Sequence, residues 1–317
     1  MDNNISKFFH YLFHRQADLI IALLVRIASI IPDRLYLKWL FRLKMGYKLN
    51  LDNPKIFSEK IQWLKLYNRK PEYTQMVDKF AVKEYVAKII GEEHIIPTLD
   101  VWDKFEDINF DALPNQFVLK TTHGGGGGGV VICRDKSKFD VQAAKIKLNK
   151  SLKQCIYKSL KEWPYKNVPK KIIAEEFIAD KGHDDLTDYK FYCFNGEPKY
   201  CQVIRDRNTI ETIDFYDMEW NHMPFVGLVP VKKRMTDLVL ANGDNPVPKP
   251  VCLGEMAIVC RKLSRNLPFS RIDLYVVDHK IYFGEITFFP ASGFGCFEPS
   301  EWDVTLGHLI TLPQMKS

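Results

Sequence analysis

The chain has seven cysteines, but no two stand in a Cys-x-x-Cys spacing and no cysteine–histidine cluster has the interval of a zinc site. An odd number of thiols without a framework reads as reduced side chains, mostly buried, of a cytoplasmic protein. The apolar run from Leu19 to Ile31 is 13 residues long and contains Arg26, too short to span a bilayer. Pro32-Asp33 ends it without a small-residue cleavage site, so it does not read as a signal peptide. No Gly-Lys-Ser/Thr follows a glycine run, which excludes a P-loop. No Asp-x-Asp triplet occurs, which argues against a nucleotide-sugar transferase. A net charge of +6 is too small to argue for nucleic acid, and no aromatic-rich RNA motif is present. It does suit a smaller anionic partner: a nucleotide, an acidic sugar or a membrane surface.

Hydrophobic residues make up 46% of the 317 positions and charged residues 26%, the balance of a folded chain long enough for two lobes. Residues 1–45 read as two or three helices. Within them Arg34, Lys38, Arg42 and Lys44 are interleaved with Tyr36, Trp39 and Phe41, and Lys48 follows. Such a segment can lie on an anionic membrane or pack as a helical lid, and the sequence leaves both open. Helices are expected from Ser58, as N-cap, to Tyr67, and from Asp78 to Ile90, where Val82, Val86, Ile89 and Ile90 form a stripe closed by Gly91. Further helical sequence runs from Val141 to Leu160 and over 251–266. Strands are expected at QFVLK (116–120), VVICR (130–134) and KIIAEEFI (171–178). DYKFYCF and EPKYCQVIR flank Asn195-Gly196 as a hairpin. The pattern predicts an α+β fold with mainly antiparallel sheets.

Six consecutive glycines, Gly124, Gly125, Gly126, Gly127, Gly128 and Gly129, are costly to order. A strand follows them, so they do not open the helix of a dinucleotide-binding turn. Between two strands and beside Lys120, they suit a loop that folds over phosphates and offers backbone N–H groups. A surface linker is the alternative, and the tight flanking strands weigh against it.

The last hairpin, RIDLYVV and IYFGEITF, is expected to close through Asp278, His279 and Lys280, with Val277 facing Ile281. In that register Asp273 lies opposite Glu285, and Arg271 opposite Thr287, all on one face. Two opposed carboxylates need a cation between them, and a divalent ion such as Mg²⁺ fits. A solvated polar face with an Arg–Asp pair is the alternative, and a slip of one residue would separate the acids.

Together these segments resemble the ATP-grasp superfamily: a lysine before a glycine-rich strand–loop–strand, an acidic adenine-binding segment, then Arg-x-Asp and Glu-x-Asn on paired strands. Here the last pair reads Arg271-Ile272-Asp273 and Glu285-Ile286-Thr287, with Thr287 in place of asparagine, which puts a second Mg²⁺ site in question. The blocks KMGYKLNLDNPKIFSEKIQWLKLY, DKFAVKEYVAKIIGEEHIIPTL, LPNQFVLKTTHGGGG, IIAEEFI, DYKFYCFNGEPKY and RIDLYVVDHKIYFGEITFFPASGF resemble the TupA-like ATP-grasp family. Its members are associated with bacterial surface polysaccharides such as capsule and O-antigen.

The resemblance implies two α+β lobes clamping ATP. Residues 1–48 would form an N-terminal helical segment, 49–113 a linking lobe, 114–180 the lid lobe with the glycine loop, and 181–317 the lobe with the metal site. It implies a carboxylate–amine ligase that works through an acyl phosphate and joins an amino acid or amine to an acidic polysaccharide precursor. Lys120 and Lys190 would contact phosphates, although Lys190 also reads as an ordinary strand lysine. Glu175, Glu176, Phe177 and Ile178 would border the adenine. Asp273, Glu285 and Thr287 would hold Mg²⁺, and Arg271 would stabilise the reacting group. Ser292 and Gly293 could meet the carboxylate substrate. Arg205 and Arg207 could bind an acidic sugar or be surface charge, and Asp217, Trp220 and Asn221 could form a substrate edge. Lys79 and Lys83 resemble a family-typical pair but read as solvated helix lysines. A sugar kinase and a non-catalytic nucleotide scaffold remain the competing readings.

Overall fold

A computed structural model describes residues 17–125, 127–179, 186–205, 212–230 and 247–314. Gly126 and Arg207 lie outside the described residues, and so does the side chain of Arg205.

The described residues open with helix α1 (17–26) and helix α2 (Asp33–Met45). Tyr36, Leu37, Leu40 and Phe41 of α2 are fully buried, so this helix belongs to the main core. Gly46, at φ 84°, ends it in the left-handed region that glycine adopts without cost. On α1, Leu24 and Ala28 beyond it point inward, while Leu19, Leu23 and Ile27 stay exposed. Among the described residues no helix is long and apolar enough to cross a membrane. Helix α3 (Phe57–Tyr67) begins one residue before the expected Ser58 cap. The Ser58 hydroxyl instead donates to Asp303 at 2.8 Å. Helices α4 (Glu72–Val77) and α5 (Ala81–Ile90) follow. The Asp78 carboxylate accepts from the N–H groups of Phe80 and Ala81, and Val82, Val86 and Ile90 are the buried stripe.

Two antiparallel sheets carry the rest. The smaller has the order β1-β4-β2-β3, from β1 (Thr98–Trp102), β2 (Phe117–Thr121), β3 (Val130–Cys133) and β4 (Ile172–Glu176). Phe117 and Leu119 alternate with the half-exposed Val118 and Lys120, so one face of β2 enters a core and the other does not. Helix α6 (Val141–Leu152), capped by the Asp140 carboxylate, covers that core with Ala144 and Leu148. The helical sequence expected up to Leu160 is broken at 153–155, and the short α7 (Ile156–Leu160) follows.

The larger sheet has the order β10-β9-β5-β6-β7, from β5 (Asp188–Phe194), β6 (Glu197–Arg205), β7 (Thr212–Asp217), β9 (Phe269–Val277) and β10 (Lys280–Thr287). Asn195 (φ 51°) and Gly196 (φ 87°) close β5 onto β6 in the turn their dipeptide favours. Helix α8 (Leu253–Ser264) packs Met256, Cys260 and Leu263 on this sheet. A two-stranded ribbon pairs β8 (Val226–Pro230), in a stretch expected to be mere connection, with β11 (Gly295–Glu298). Helix α9 (Glu301–Leu309) closes the chain against α3. Five of the seven cysteines are buried and none is in a disulfide.

The final hairpin departs from the expected turn. Only Asp278 and His279 form it, at φ 48° and 63°, and Val277 pairs with Lys280 rather than facing Ile281. The register then shifts between Phe283 and Glu285, and Asp273 pairs with Glu285 and Arg271 with Thr287 as expected. Gly284 is the extra residue of this bulge. A Cβ there would stand 2.9 Å from the Asp273 carbonyl oxygen, so the close approach requires glycine. The bulge reverses the facing of β10, so that Ile281 and Phe283 join the core while Glu285 turns to the other side.

Candidate active site

The two sheets face each other across a cleft of about 1970 Å³, lined by Lys120 and the glycine loop on one side and by Lys190, Arg271, Asp273 and Glu285 on the other. The loop is held at its base. The Thr121 N–H donates to the Gly129 carbonyl at 2.9 Å, and the Thr121 and Ser151 hydroxyls are 2.7 Å apart. A Cβ at Gly129 would lie 2.1 Å from the Thr121 Oγ1 and 2.4 Å from the Ser151 Oγ. His123, 3% exposed, places its Nε2 3.1 Å from the Ser151 carbonyl, a structural contact.

Glu175 is 4% exposed, and its two oxygens meet Lys83 at 2.7 Å and Lys120 at 2.5 Å. Burial alone would raise its carboxyl pKa, but Lys120 and then Lys83 more than offset this and hold it below the usual carboxylate range. Lys83 also donates to the Ile96 carbonyl and the Thr98 hydroxyl at 2.7 Å each, and burial lowers its pKa. Glu175 therefore fixes Lys120 at the cleft wall rather than presenting free oxygens. Glu176 is exposed, and Phe177 and Ile178 continue along the cleft.

Across the cleft, Lys190 lies between Asp188 at 2.6 Å and Asp273 at 2.5 Å. Strand β9 lies between β5 and β10, so Lys190 pairs with Asp273 on one side while Glu285 pairs with it on the other. Arg271 binds both oxygens of Asp273 at 2.7 Å each and reaches Glu285 and Thr287 at 3.1 and 3.2 Å. Lys79, in the turn just before α5, donates to the other oxygen of Glu285 at 3.1 Å. Burial would raise the Glu285 carboxyl, yet Lys79, Arg271 and Lys190 hold it well below its usual range. For Asp273 burial is the larger influence and pushes its carboxyl up, against Arg271 and Lys190. The cation expected between the opposed acids is thus the Arg271 guanidinium.

Among the described residues no group of three or more histidines, cysteines or acids is arranged to hold a metal ion. Asp273, Glu285 and Thr287 nevertheless present oxygen donors on one face beside Lys79 and Lys190. That suits Mg²⁺, which takes one or two carboxylates together with phosphate oxygens. All four carboxylate oxygens already accept from Arg271, Lys190 or Lys79. The donors therefore fit a metal that arrives with a polyphosphate able to draw those cations away.

Pro290–Gly293 forms the turn beyond β10, with Ala291 at φ 45° and Ser292 at φ 54°. The Ser292 hydroxyl and carbonyl accept from Lys65 at 2.8 and 2.7 Å, and Gln62 donates to the Ser292 and Gly293 carbonyls at 3.0 Å each. Lys65 is fully buried, and its pKa is pushed down to about 7 by burial, against the pull of Glu162.

Asp217, Trp220 and Asn221 do not line the cleft. Asp217 accepts from the Asn221 amide within their own turn, and Trp220 stacks on Tyr216 at 4.5 Å. Sequence reasoning set aside Lys79 and Lys83 and missed Asp188, Lys65 and Gln62. Asp188 had a signal, since it lies two residues before Lys190 on the same strand face. The others are brought in by contacts 15 to 230 residues distant, for which one sequence has no signal.

Solved structures similar to the chain include a D-alanine–D-alanine ligase from Bacillus anthracis complexed with ATP. It shows 17% identity and a TM-score of 0.37 over 68% of this chain and 54% of that one. A D-alanine–D-alanine ligase from Helicobacter pylori gives 14% and 0.40, over 81% of this chain and 68% of that one. N5-carboxyaminoimidazole synthase from Aspergillus clavatus gives 12% and 0.37, over 68% and 44%. The chain thus spans little more than half the length of the first of these proteins. No curated protein matches it in sequence. The model of the TupA-like ATP-grasp family matches residues 59–311, which include both sheets, the glycine loop and the paired acids, and the chain belongs to that family.

Proposed function

We propose that the protein is an ATP-dependent carboxylate–amine ligase of surface-polysaccharide biosynthesis. The observation that carries this reading is the meeting, in one cleft, of a lysine-flanked glycine loop with a partly buried Arg–Asp–Glu–Lys cluster. ATP would lie between the lid lobe of 114–180 and the lobe of 181–317, its adenine against Phe177 and Ile178. Mg²⁺, bound with it, would neutralise the phosphate oxygens.

Lys120 and Lys190 hold the phosphates, and the N–H groups of Gly124 to Gly129 close over them. Asp273 and Glu285, with Thr287, would supply oxygens to Mg²⁺, which would offset the charge of the phosphates. The substrate carboxylate oxygen attacks the γ-phosphorus and ADP leaves. The amine then attacks the acyl carbon of the acyl phosphate, phosphate departs with the electron pair of the C–O bond, and the amine proton passes to solvent. Arg271, whose pKa its acidic partners keep raised despite burial, stays charged and stabilises the charge developing on the transferred group. The Ser292–Gly293 turn orients the acid.

The protein would work in the cytoplasm, at the inner membrane face. Leu19 and Leu23 of α1 and Ile30 of the turn after it, 64%, 60% and 79% exposed, support contact of this segment with lipid, whereas α2 is a packed helix of the core.

The test incubates the protein with ATP, Mg²⁺ and candidate acids and amines and follows ADP, AMP and UDP. ADP and phosphate released only when acid and amine are both present is the expected result. A phosphorylated product from one acceptor identifies a kinase. No ADP with any pair leaves a nucleotide-binding scaffold.

A further inference from the structure

Among the described residues six acidic side chains line the cleft, and five have a place in what has been described. Lys83 and Lys120 bind Glu175, Lys190 binds Asp188, Lys190 and Arg271 bind Asp273, and Lys79 and Arg271 bind Glu285. Glu176 is exposed, beside Phe177. The sixth is Glu162. It is only 7% exposed, yet no described lysine or arginine lies within 4 Å of its carboxylate. A buried carboxylate is ordinarily paired, because taking its charge out of water is costly. One left without a bonded cation at the wall of a cleft is a candidate for chemistry.

The chain on both sides holds Glu162 in place. Lys161 before it ends α7 at φ 57°, and its Nζ donates to the Ala28 carbonyl at 2.7 Å and reaches Asp33 at 3.0 Å. The short 3₁₀ helix Trp163–Asn167 after it, with Pro164 in its first turn, packs on α4. Two residues before Glu162, the Leu160 carbonyl accepts from Lys65 at 3.1 Å. The same ammonium donates to the Ser292 carbonyl and hydroxyl at 2.7 and 2.8 Å. Lys65 therefore joins this segment to the Ser292 turn, and those three contacts use its three hydrogens.

The Ser292 hydroxyl accepts from Lys65 and so has its own hydrogen for Glu162, which it steadies by hydrogen bonding. Glu285 of β10 is close enough for its charge to act on Glu162, and Tyr165 of the same segment feels both acids. Glu162 thus stands between the turn that orients the acid and the cluster beside which the transferred group reacts. Burial raises its pKa and Glu285 raises it further, against the charge of Lys65 and the Ser292 hydroxyl. A carboxylate raised in this way takes a proton more readily than an ordinary one.

We propose that Glu162 is the catalytic base of amide formation, the group that takes the proton from the attacking amine. The proposal rests on the ligase reading and adds a catalytic residue to its second step. In that step the uncharged amine nitrogen forms its bond to the acyl carbon. The C–O bond to phosphate breaks, with its electron pair on the phosphate oxygen, and one N–H proton moves to a Glu162 oxygen. The proton then passes to solvent, which restores the carboxylate.

The full chain is incubated with ATP, Mg²⁺ and glucuronic acid, galacturonic acid or their UDP-linked forms. The nucleophile is hydroxylamine in one series and ammonia or ethanolamine in the other. Hydroxylamine traps acyl phosphates without the help of a base, so it reports the first step. Ammonia and ethanolamine report the second. Mass spectrometry follows hydroxamate and amide. Glu162→Gln should slow amide formation about a hundredfold and hydroxamate formation by no more than about a few-fold. Its affinity for a non-hydrolysable ATP analogue, read by calorimetry, should match the parent's. Glu162→Asp keeps the carboxyl but withdraws it, and should slow the amide alone by about tenfold; it carries the test if the Gln variant does not fold. Equal loss of both products would make Glu162 structural, and amide formed at the parental rate by Glu162→Gln would remove it from the step. Either result overturns the proposal, as does a parent that forms hydroxamate and no amide. Neither product from any acid would strike the ligase reading, and this proposal with it.

Discussion

Glu175→Gln tests whether the lysine at the cleft wall is held by a buried charge. Its carboxylate lies 2.5 Å from Lys120 and 2.7 Å from Lys83, with 4% of the residue exposed. At an effective dielectric of ~20 each contact is worth roughly 6 kcal/mol of attraction, most of it offset by the cost of taking three charges out of water. Removing one partner of such a group leaves the others buried and uncompensated, at about 3–5 kcal/mol. Lys83 loses most, because burial already lowers its pKa and Glu175 is what opposes that shift. For 317 residues the loss corresponds to a melting temperature lower by about 6 °C. The pH dependence gives a second readout. The folded pKa of Glu175 is depressed, so its contribution is full above the unfolded value of about 4.3 and is lost as pH falls through the folded value. The gap between parent and variant should be complete at pH 7 and close below about pH 4. Thermal melts of the parent, Glu175→Gln, Lys120→Met and the double variant across that range measure both. A single variant melting within about 1 °C of the parent at pH 7, or a gap constant into acid, would refute the reasoning.

Two further outcomes follow from the same cleft. Lys79→Met removes the partner of one Glu285 oxygen; Mn²⁺ binding without nucleotide, followed by electron paramagnetic resonance, should strengthen severalfold, and unchanged binding would show that Lys79 does not compete with metal. Gly129→Ala puts a methyl group 2.1 Å from the Thr121 Oγ1; overpacking of this kind costs about 1–3 kcal/mol, and the analogue's affinity, read by calorimetry, should fall while Gly125→Ala, with only an ordinary contact at 3.5 Å, leaves it near the parent value.

Much of the fold was legible because its signals are local. Asn195-Gly196 specifies its hairpin by backbone chemistry alone, and the alternation in 117–121 shows which side of β2 is buried. The last hairpin shows the limit of such reading. A three-residue turn was expected and a two-residue turn formed, yet Asp273 still meets Glu285, because Gly284 inserts the residue that the turn omits. Parity along a strand can be counted only if bulges are known, and a glycine between Phe283 and Glu285 was the one mark of this one. Lys79 and Lys83 show the complementary failure. Lys83 is on α5 but Lys79 stands in the turn before it, not on the helix as expected; surface lysines are usually solvated, and only the path of the chain between this segment and the two sheets brings their amines to Glu175 and Glu285.

The pairing across the cleft bears on how ligands would enter it. Asp188, Asp273 and Glu285 stand against Lys79, Lys190 and Arg271, three charges of each sign in one partly buried cluster. Such a cluster has little net attraction for a lone divalent ion, since every acid is already compensated. A triphosphate changes that balance, because it competes for the lysines and the arginine and thereby releases carboxylate oxygens. A metal carried with the phosphates then replaces the positive charge that they withdraw. Nucleotide and metal are therefore expected to bind as one unit, each strengthening the other by the same factor.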